Sequence, residues 1–412
     1  MKSDLDRLMQ EANLDALLIT GPAQHNPYMY YFTGGVHVSH GELIKPRGAE
    51  PILFANPMER EEAARTGLPT RNLADYGLNR LLKEAGGDLN QATARRYQKM
   101  LEELGLSSGR LAVYGQEDAG IAFGAFSALQ ALLPDLEIVA ESGETTLLKA
   151  MSTKDEDEVA RIRKMGRLTV EVVGRVKKYL GSHAARDGVL VNENGKPVTV
   201  GDVKSKIDLW VAELGASNPH GTIFAIGRDA GIPHSVGNPE DPLRLGQTIV
   251  FDIFIQEAGG GYHYDFTRSW CLGHAPEDVQ AVYDDVRAVF DEIIGDLEAN
   301  TPFQLVQQRT CDLFEARGHP TVASDPDTQK GYVHSVGHGL GLNIHERPAS
   351  GANATEADRL APGVVVTIEP GLYYPDRNMG VRLEDTIYVR PDGEIEVLAE
   401  YPLDLVIPIK GT

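Results

Sequence analysis

Cysteine is nearly absent: Cys271 and Cys311 are the only two in 412 residues, far apart and outside any CxxC spacing. That excludes a disulfide framework or a cysteine-based zinc knuckle and fits a reducing compartment, with both thiols expected as small buried residues. Positive charge is also scarce. With 39 Lys and Arg against 60 Asp and Glu, the formal net charge is -21, so nucleic acid and anionic membrane surfaces are repelled and neither is expected as a partner. No apolar run reaches membrane-spanning length, and the opening MKSDLDRLMQEANLDALLITG carries charges throughout, without the apolar stretch of a signal peptide. A cytoplasmic location is expected. Two common hydrolase signatures are missing as well, since there is no GxSxG elbow and no HExxH helix.

What is present is an ordinary globular composition, 42% hydrophobic and 24% charged, with length enough for two or three domains. The first part alternates helix and strand: Leu5, Leu8, Met9 and Ala12 at helical spacing behind a possible cap at Ser3, then the strand candidates ALLIT, PILFA and RLAVYG, with a helix near Gln98 to Leu106. This predicts a small α/β domain without a phosphate-cradling glycine loop. Gly34 to Pro51, with His37, His40, Lys45, Pro46 and Arg47, shows no periodicity and is expected as a long loop of the kind that forms lids. The polar segment ESGETTLLKAMSTKDEDE reads as a connection, placing the boundary near residue 148 and dividing the chain into domains 1–148 and 149–412. Thr153-Lys-Asp-Glu is read as a capping box opening a long helix with a stripe of Val159, Ile162, Met165, Leu168, Val172 and Val176. A second helix is expected from Pro276.

Five potential metal donors lie in the second half: Asp252 in VFDIF, Asp265 in HYDFTR, His338 in GHGLG, Glu369 in TIEPG and Glu384 in VRLED. Hard carboxylate oxygens can bridge two divalent cations, and one imidazole makes the two positions unequal. Asp252 and Glu369 close runs so apolar that they must be buried strands, where an ionised carboxylate is prohibitively costly unless paired or metal-bound. Each residue also has a bland reading. Asp252 can cap a turn as any strand-end Asp does, Asp265 pairs readily with nearby Arg268, a lone His338 is more often structural, and Glu384 shares a strand face with Arg382. Taken together the five make a dinuclear site the better reading.

The order Asp, Asp, His, Glu, Glu with these flanks resembles the pita-bread metallopeptidases, the family of methionine aminopeptidase, aminopeptidase P and prolidase. The resemblance implies an α/β N-terminal domain followed by an α+β pita-bread catalytic domain built from two similar halves, and LLKAMSTKDEDEVARIR looks like the family's linker between them. It also implies that Asp252 chelates one metal, His338 and Glu369 bind the other, and Asp265 and Glu384 bridge both. Manganese is the expected ion, with zinc, cobalt and iron compatible. Such ions would activate a shared water and polarise the scissile carbonyl. By the same resemblance His345 would stabilise the oxyanion, His234 would contact the scissile amide and Glu369 would shuttle the proton. His334, Tyr262 and Arg382 are candidates for binding substrate, with Tyr373 a further aromatic candidate, and a homodimer is expected.

Two departures from the family pattern bear on specificity. The two aspartates are thirteen residues apart, two more than usual, because QEAGGGYHY has grown, and His263 and Tyr264 replace residues that are usually small and are expected to narrow the pocket. Between the HE pair and TIEPG the stretch GANATEADRLAP lacks the basic residue that many proline-specific members place there, leaving Arg347, Arg359 and Arg382 as candidates to hold a substrate carboxylate. A folded leading domain with NPYMYYFTGG points to proline-directed members rather than methionine aminopeptidase. An Xaa-Pro dipeptidase acting on small proline-containing peptides is slightly favoured over aminopeptidase P. A metal-free binding protein or a creatinase-type hydrolase fits a chain with all five donors least well.

Overall fold

The strand candidates of the first part assemble into one mixed six-stranded sheet, in the spatial order Thr70–Asn72, Ile52–Ala55, Gly41–Pro46, Ala16–Gly21, Gly109–Gly115 and Leu136–Val139. The computed structural model describes residues 2–410. Ala16–Gly21, buried along its whole length, lies antiparallel to Gly41–Pro46 and parallel to Gly109–Gly115. Helices Leu89–Glu103 and Ala119–Leu132 contribute Met100, Leu101, Ala125 and Leu129 to a core shared with Leu18, Ile44 and Phe54 from the sheet. One segment differs from expectation: Gly34 to Pro51 is not a lid-like loop, because Gly41–Pro46 is a central strand. Its pattern was hidden by two buried charged residues. Glu42 takes hydrogen bonds from Arg96 and Tyr97, and Lys45 pairs with Asp6, so both sit inside without breaking the strand.

The chain forms two compact units, one holding it up to Met151 together with Gly259–Gly261, the other Ser152–Ala258 and the chain from Tyr262 onward. Gly259–Gly261, the middle of the lengthened loop, therefore belongs to the first unit, where Gly259 accepts a backbone hydrogen bond from His25.

The second unit opens with helix Glu156–Ser182. Its capping box is made by Asp155 and Glu158, two residues beyond the Thr153 start read from sequence, because Asp155 has the extended backbone a cap requires. Val159, Ile162, Met165, Val172, Val176 and Leu180 are buried along one stripe, each worth roughly 1.5–3 kcal/mol of transfer free energy. Order along the chain then repeats. The helices Glu156–Ser182 and Val200–Glu213 precede the sheet of Thr222–Ile226, Thr248–Ile253, Phe266–Leu272 and, added from the end of the chain, Val406–Ile407. The helices Glu277–Gly295 and Phe303–Ala316 precede a second sheet, ordered Glu346–Ala349, His338–Gly339, Val365–Ile368, Asp385–Val389 and Ile395–Val397. This two-half α+β arrangement is the pita-bread architecture. Among the described residues no helix is long and apolar enough to cross a membrane.

Arg268 joins the two sheets from inside. It is 1% exposed and does not pair with Asp265; it donates to Asp385 Oδ1 at 2.8 Å and to the carbonyls of Thr267, Glu384, Tyr401 and Pro402. Removing one partner of such a pair leaves the other charge buried alone. Arg268→Met is therefore expected to lower unfolding stability by about 3–5 kcal/mol, seen as an earlier urea midpoint with an unchanged slope.

Candidate active site

Strand register brings the five donors together. Asp252 lies opposite Thr267 across the first sheet, Thr267 bridges to Glu384 of the second half, and Ile368 pairs with Asp385, so the next residues outward, Glu369 and Glu384, face each other. Asp265 precedes the strand that carries Thr267. His338 enters from the second sheet, where the glycines around it allow a very close approach: a Cβ on Gly337 would stand 1.9 Å from Thr367 O, and one on Gly339 2.1 Å from Arg347 O. Only glycine fits there.

The hydrogen bonds decide how each donor is presented. His338 Nδ1 lies 3.0 Å from Gly339 O; a carbonyl only accepts, so Nδ1 carries the proton and Nε2 turns a lone pair inward. That Nε2 is 3.6 Å from Asp265 Oδ2 and 3.6 Å from Glu369 Oε1, with no proton to share between them. A backbone carbonyl on one imidazole nitrogen is the arrangement that orients the other toward a metal. The donor atoms of Asp265, His338 and Glu384 lie within 4.8 Å of one another, and Asp252 Oδ1 is buried without a hydrogen-bond partner. Carboxylate oxygens and one imidazole around a buried cavity suit a pair of divalent cations.

Without such ions the site is electrostatically frustrated. Burial, then the charges of Asp252 and Glu369, hold the Asp265 carboxyl well above its ordinary range, and burial with Asp265, Glu369 and Asp252 does the same to Glu384. Burial pushes Glu369 up to about 7, against the opposing charge of Arg382. The imidazoles move the other way: burial lowers His338 and His334 to about 3 each, and His345 is lowered as well. Carboxyls that want protons beside histidines that refuse them are what bound cations would reconcile.

The cavity, about 600 Å³, is lined by His220, His234, Phe254, His334, His345 and Arg382 besides the five donors. The His345 ring stands edge-on to His338 at 4.3 Å. His334 Nδ1 donates to Ser335 O at 2.7 Å, so Nε2 accepts from the Tyr373 hydroxyl at 2.8 Å, and both ring nitrogens are engaged. Its ring face is what remains for a ligand.

Three expectations need correction. Tyr262 does not line the cavity; it is buried, with its hydroxyl donating to Glu158 at 2.5 Å and Arg161 stacked on its ring. Arg382 does line the cavity but is fully committed: Nη2 to Asp252 Oδ2 at 2.5 Å, Nη1 to Tyr373 and Pro233 O, and Nε to Thr267. It holds an aspartate rather than waiting for a substrate carboxylate. Nor do His263 and Tyr264 narrow the cavity, since His263 is buried against Gln256 and stacked behind His220, and Tyr264 packs on Gly166. Sequence reading also missed Thr267, which donates to Glu384 Oε2 at 2.6 Å, and Thr367, which lies 3.4 Å from Glu369 Oε1. Each stands two residues from a donor, Asp265 or Glu369, and so on the same strand face, which was the available signal.

The profile of metallopeptidase family M24 matches residues 160–391, more than half of the chain. The chain belongs to metallopeptidase family M24. It is a peptidase of a family that depends on two metal ions, and residues 2–148 of this M24 chain match the creatinase/prolidase N-terminal domain. An uncharacterized peptidase of Staphylococcus epidermidis is 26% identical over 406 residues, covering 97% of this chain and 98% of its own. Among solved structures, an Xaa-Pro dipeptidase from Bacillus anthracis superposes with a TM-score of 0.73 at 22% identity, covering 98% of this chain and 99% of that one. An X-Pro aminopeptidase from Thermotoga maritima gives the same TM-score, 0.73, at 20% identity, with 97% and 100% covered. At these identities the likeness is one of fold.

The titrations of this M24 site predict a pH dependence for metal-stripped protein. Above the ordinary histidine value of 6.5 the low-pKa histidines are neutral both folded and unfolded and contribute no slope. Asp265, Glu369 and Glu384, raised in the folded state, then bind more protons folded than unfolded, so stability falls as pH rises. The melting temperature of chelator-treated protein is expected to drop as pH rises above 6.5 through about 7, where Glu369 ionises, and to flatten when divalent metal is restored. Calorimetry in two buffers of different ionisation enthalpy should register proton release on metal binding.

Proposed function

We propose that the protein is a metal-dependent Xaa-Pro peptidase that hydrolyses the amide bond before proline, with Xaa-Pro dipeptides as its leading substrates. The observation that carries this reading is the convergence of Asp252, Asp265, His338, Glu369 and Glu384 on one cavity beside His345 and His334, behind a leading domain of the creatinase/prolidase type. A cavity of about 600 Å³ is of the size that takes a short peptide. A proline after the scissile bond leaves the amide without an N–H. Recognition must then fall on the ring, and the exposed face of His334, fixed by Tyr373 and Ser335, is a flat surface for it.

In this reading Asp252 would hold one cation, His338 and Glu369 the other, and Asp265 and Glu384 would be shared by both. Two divalent ions, manganese by preference for an oxygen-rich set, supply Lewis-acid polarisation of the carbonyl and a lowered pKa for water. The chain's own residues do the rest. Glu369 takes the proton from the attacking water and delivers it to the proline nitrogen as the C–N bond breaks, which leaves a secondary amine and a carboxylic acid that ionises by releasing the second water proton to solvent. His345, kept neutral by burial, donates its N–H to the oxyanion that forms on the former carbonyl oxygen, and His234 contacts the scissile amide. Thr267 and Thr367 orient the carboxylates they touch.

One observation favours a second reading, an Xaa-Pro aminopeptidase acting on longer peptides. A dipeptide brings its carboxylate into the cavity, and among the described lining residues Arg382, the sole arginine or lysine, is already committed to Asp252. Release of proline from an Xaa-Pro dipeptide, compared with release of the first residue from an Xaa-Pro-Yaa tripeptide, separates the two. Cleavage of the dipeptide alone supports the dipeptidase; equal or faster tripeptide cleavage supports the aminopeptidase; loss of neither activity on chelation would sink both. Asp265→Ala or Glu384→Ala is expected to abolish metal retention and hydrolysis together. His345→Ala should retain metal and lose about 10²–10³ in kcat, and full turnover in that variant would remove His345 from the mechanism.

A further inference from the structure

A buried pair of opposite charges lies outside the donor set. Lys154, just ahead of the cap of helix Glu156–Ser182, places Nζ 2.9 Å from Glu346 Oε2, and both side chains are 1% exposed. Lys154 is itself anchored, Nζ donating also to Ser152 O at 3.2 Å and its backbone N–H to Gly363 O at 2.7 Å. Taking two charges out of water is costly unless the geometry repays it. Here the geometry serves a turn. Glu346 Oε1 accepts the backbone N–H of Asn343 at 2.9 Å, and the Asn343 amide nitrogen is 3.4 Å away. A Cβ on Gly341 would stand 2.4 Å from Glu346 Oε2, so the turn closes directly onto the carboxylate.

The turn is the tip of the hairpin that carries His338 and His345. His338 pairs with Ala349 and Gly339 with Glu346, and the ladder ends there; residues 341–345 lie outside it, with Gly341 accepting the His263 N–H at 2.8 Å and donating its own to Asn343 O at 3.1 Å. His345 sits on that irregular tip, one residue before Glu346, its ring 4.3 Å from His338. We propose that the Lys154–Glu346 pair is a positioning device, a buried clamp that closes the 341–346 turn from beneath and so sets where the His345 imidazole meets the reacting carbonyl. For turnover this rests on the role given to His345 above; for the turn itself it does not. A peptide amide held by an anchored carboxylate opens rarely, and a misplaced catalytic group loses rate without losing the fold.

Lys154→Met/Glu346→Met removes both charges together and leaves no ion buried alone. In metal-stripped protein, deuterium uptake across residues 338–346 is expected to speed up by about tenfold or more while Thr248–Ile253 is unchanged. With manganese bound at the wild-type level, kcat on an Xaa-Pro peptide should fall about 10- to 100-fold with KM little changed. In the His345→Ala background the double substitution should cost nothing further, which a merely structural role would not produce. Unchanged uptake across the turn, or losses that multiply in that background, would overturn the clamp. Were the double variant not to fold, Lys154→Met/Glu346→Gln, which keeps an acceptor for Asn343, reads the coupling to His345 in the same way. If wild-type protein cleaves no Xaa-Pro peptide, the functional reading fails while the exchange measurement still decides the clamp.

Discussion

Repulsion between buried carboxylates is the constraint around which the catalytic half is built. Two like charges about 4 Å apart repel by roughly 4 kcal/mol even at an effective dielectric of 20, and Asp265, Glu369, Glu384 and Asp252 share one cavity. The raised carboxyls of Asp265, Glu369 and Glu384 are the direct expression of that crowding. A chain that folds around such a cluster must bring in cations or keep protons. The neutral His338, with its lone pair facing the acids, provides a ligand and no charge.

The buried cations of the protein sharpen that point, because each is spent on an acid other than Asp265 and Glu384. Arg268 holds Asp385, Lys154 holds Glu346, and Arg382 holds Asp252 at the edge of the group. Among the described residues the Asp265 and Glu384 carboxylates accept from neutral donors, a backbone N–H from Phe266 and the Thr267 hydroxyl. The distribution leaves a local negative excess where two strands from different halves meet, while the surrounding pairs lock those strands in place. Arg268 does so through carbonyls as well as through its salt bridge, so one side chain ties the Phe266–Leu272 strand to the segment after the last sheet.

Substrate choice depends on weaker and more local features than the metal site does. One fold is shared by proteins named Xaa-Pro dipeptidase and X-Pro aminopeptidase, so the fold alone does not separate the two names. Arg382 is the instructive case. It was a candidate to hold a substrate carboxylate, but Asp252 on a strand from the other half takes it. His334 is committed in the same manner, leaving a flat ring and no free nitrogen. The hairpin tip bearing His345 owes its shape to Glu346 and Lys154, which are 192 residues apart in the chain.

The sequence by itself determined the two-part α/β and α+β organisation, the family and the five candidate donors. Those are local signals: an acid at the end of an apolar strand is too costly to be accidental, and glycines flanking a histidine announce a close backbone approach. Tertiary structure decided partners. Gly41–Pro46 is a strand because Arg96, Tyr97 and Asp6 neutralise its inward charges; Tyr262 turns from the cavity because Glu158 accepts its hydroxyl; Arg382 is occupied because strand register sets it against Asp252. Each outcome depends on a residue far away in sequence, and a long polar side chain goes to whichever buried opposite group the fold brings within reach. Periodicity records which face is buried, but not what waits there.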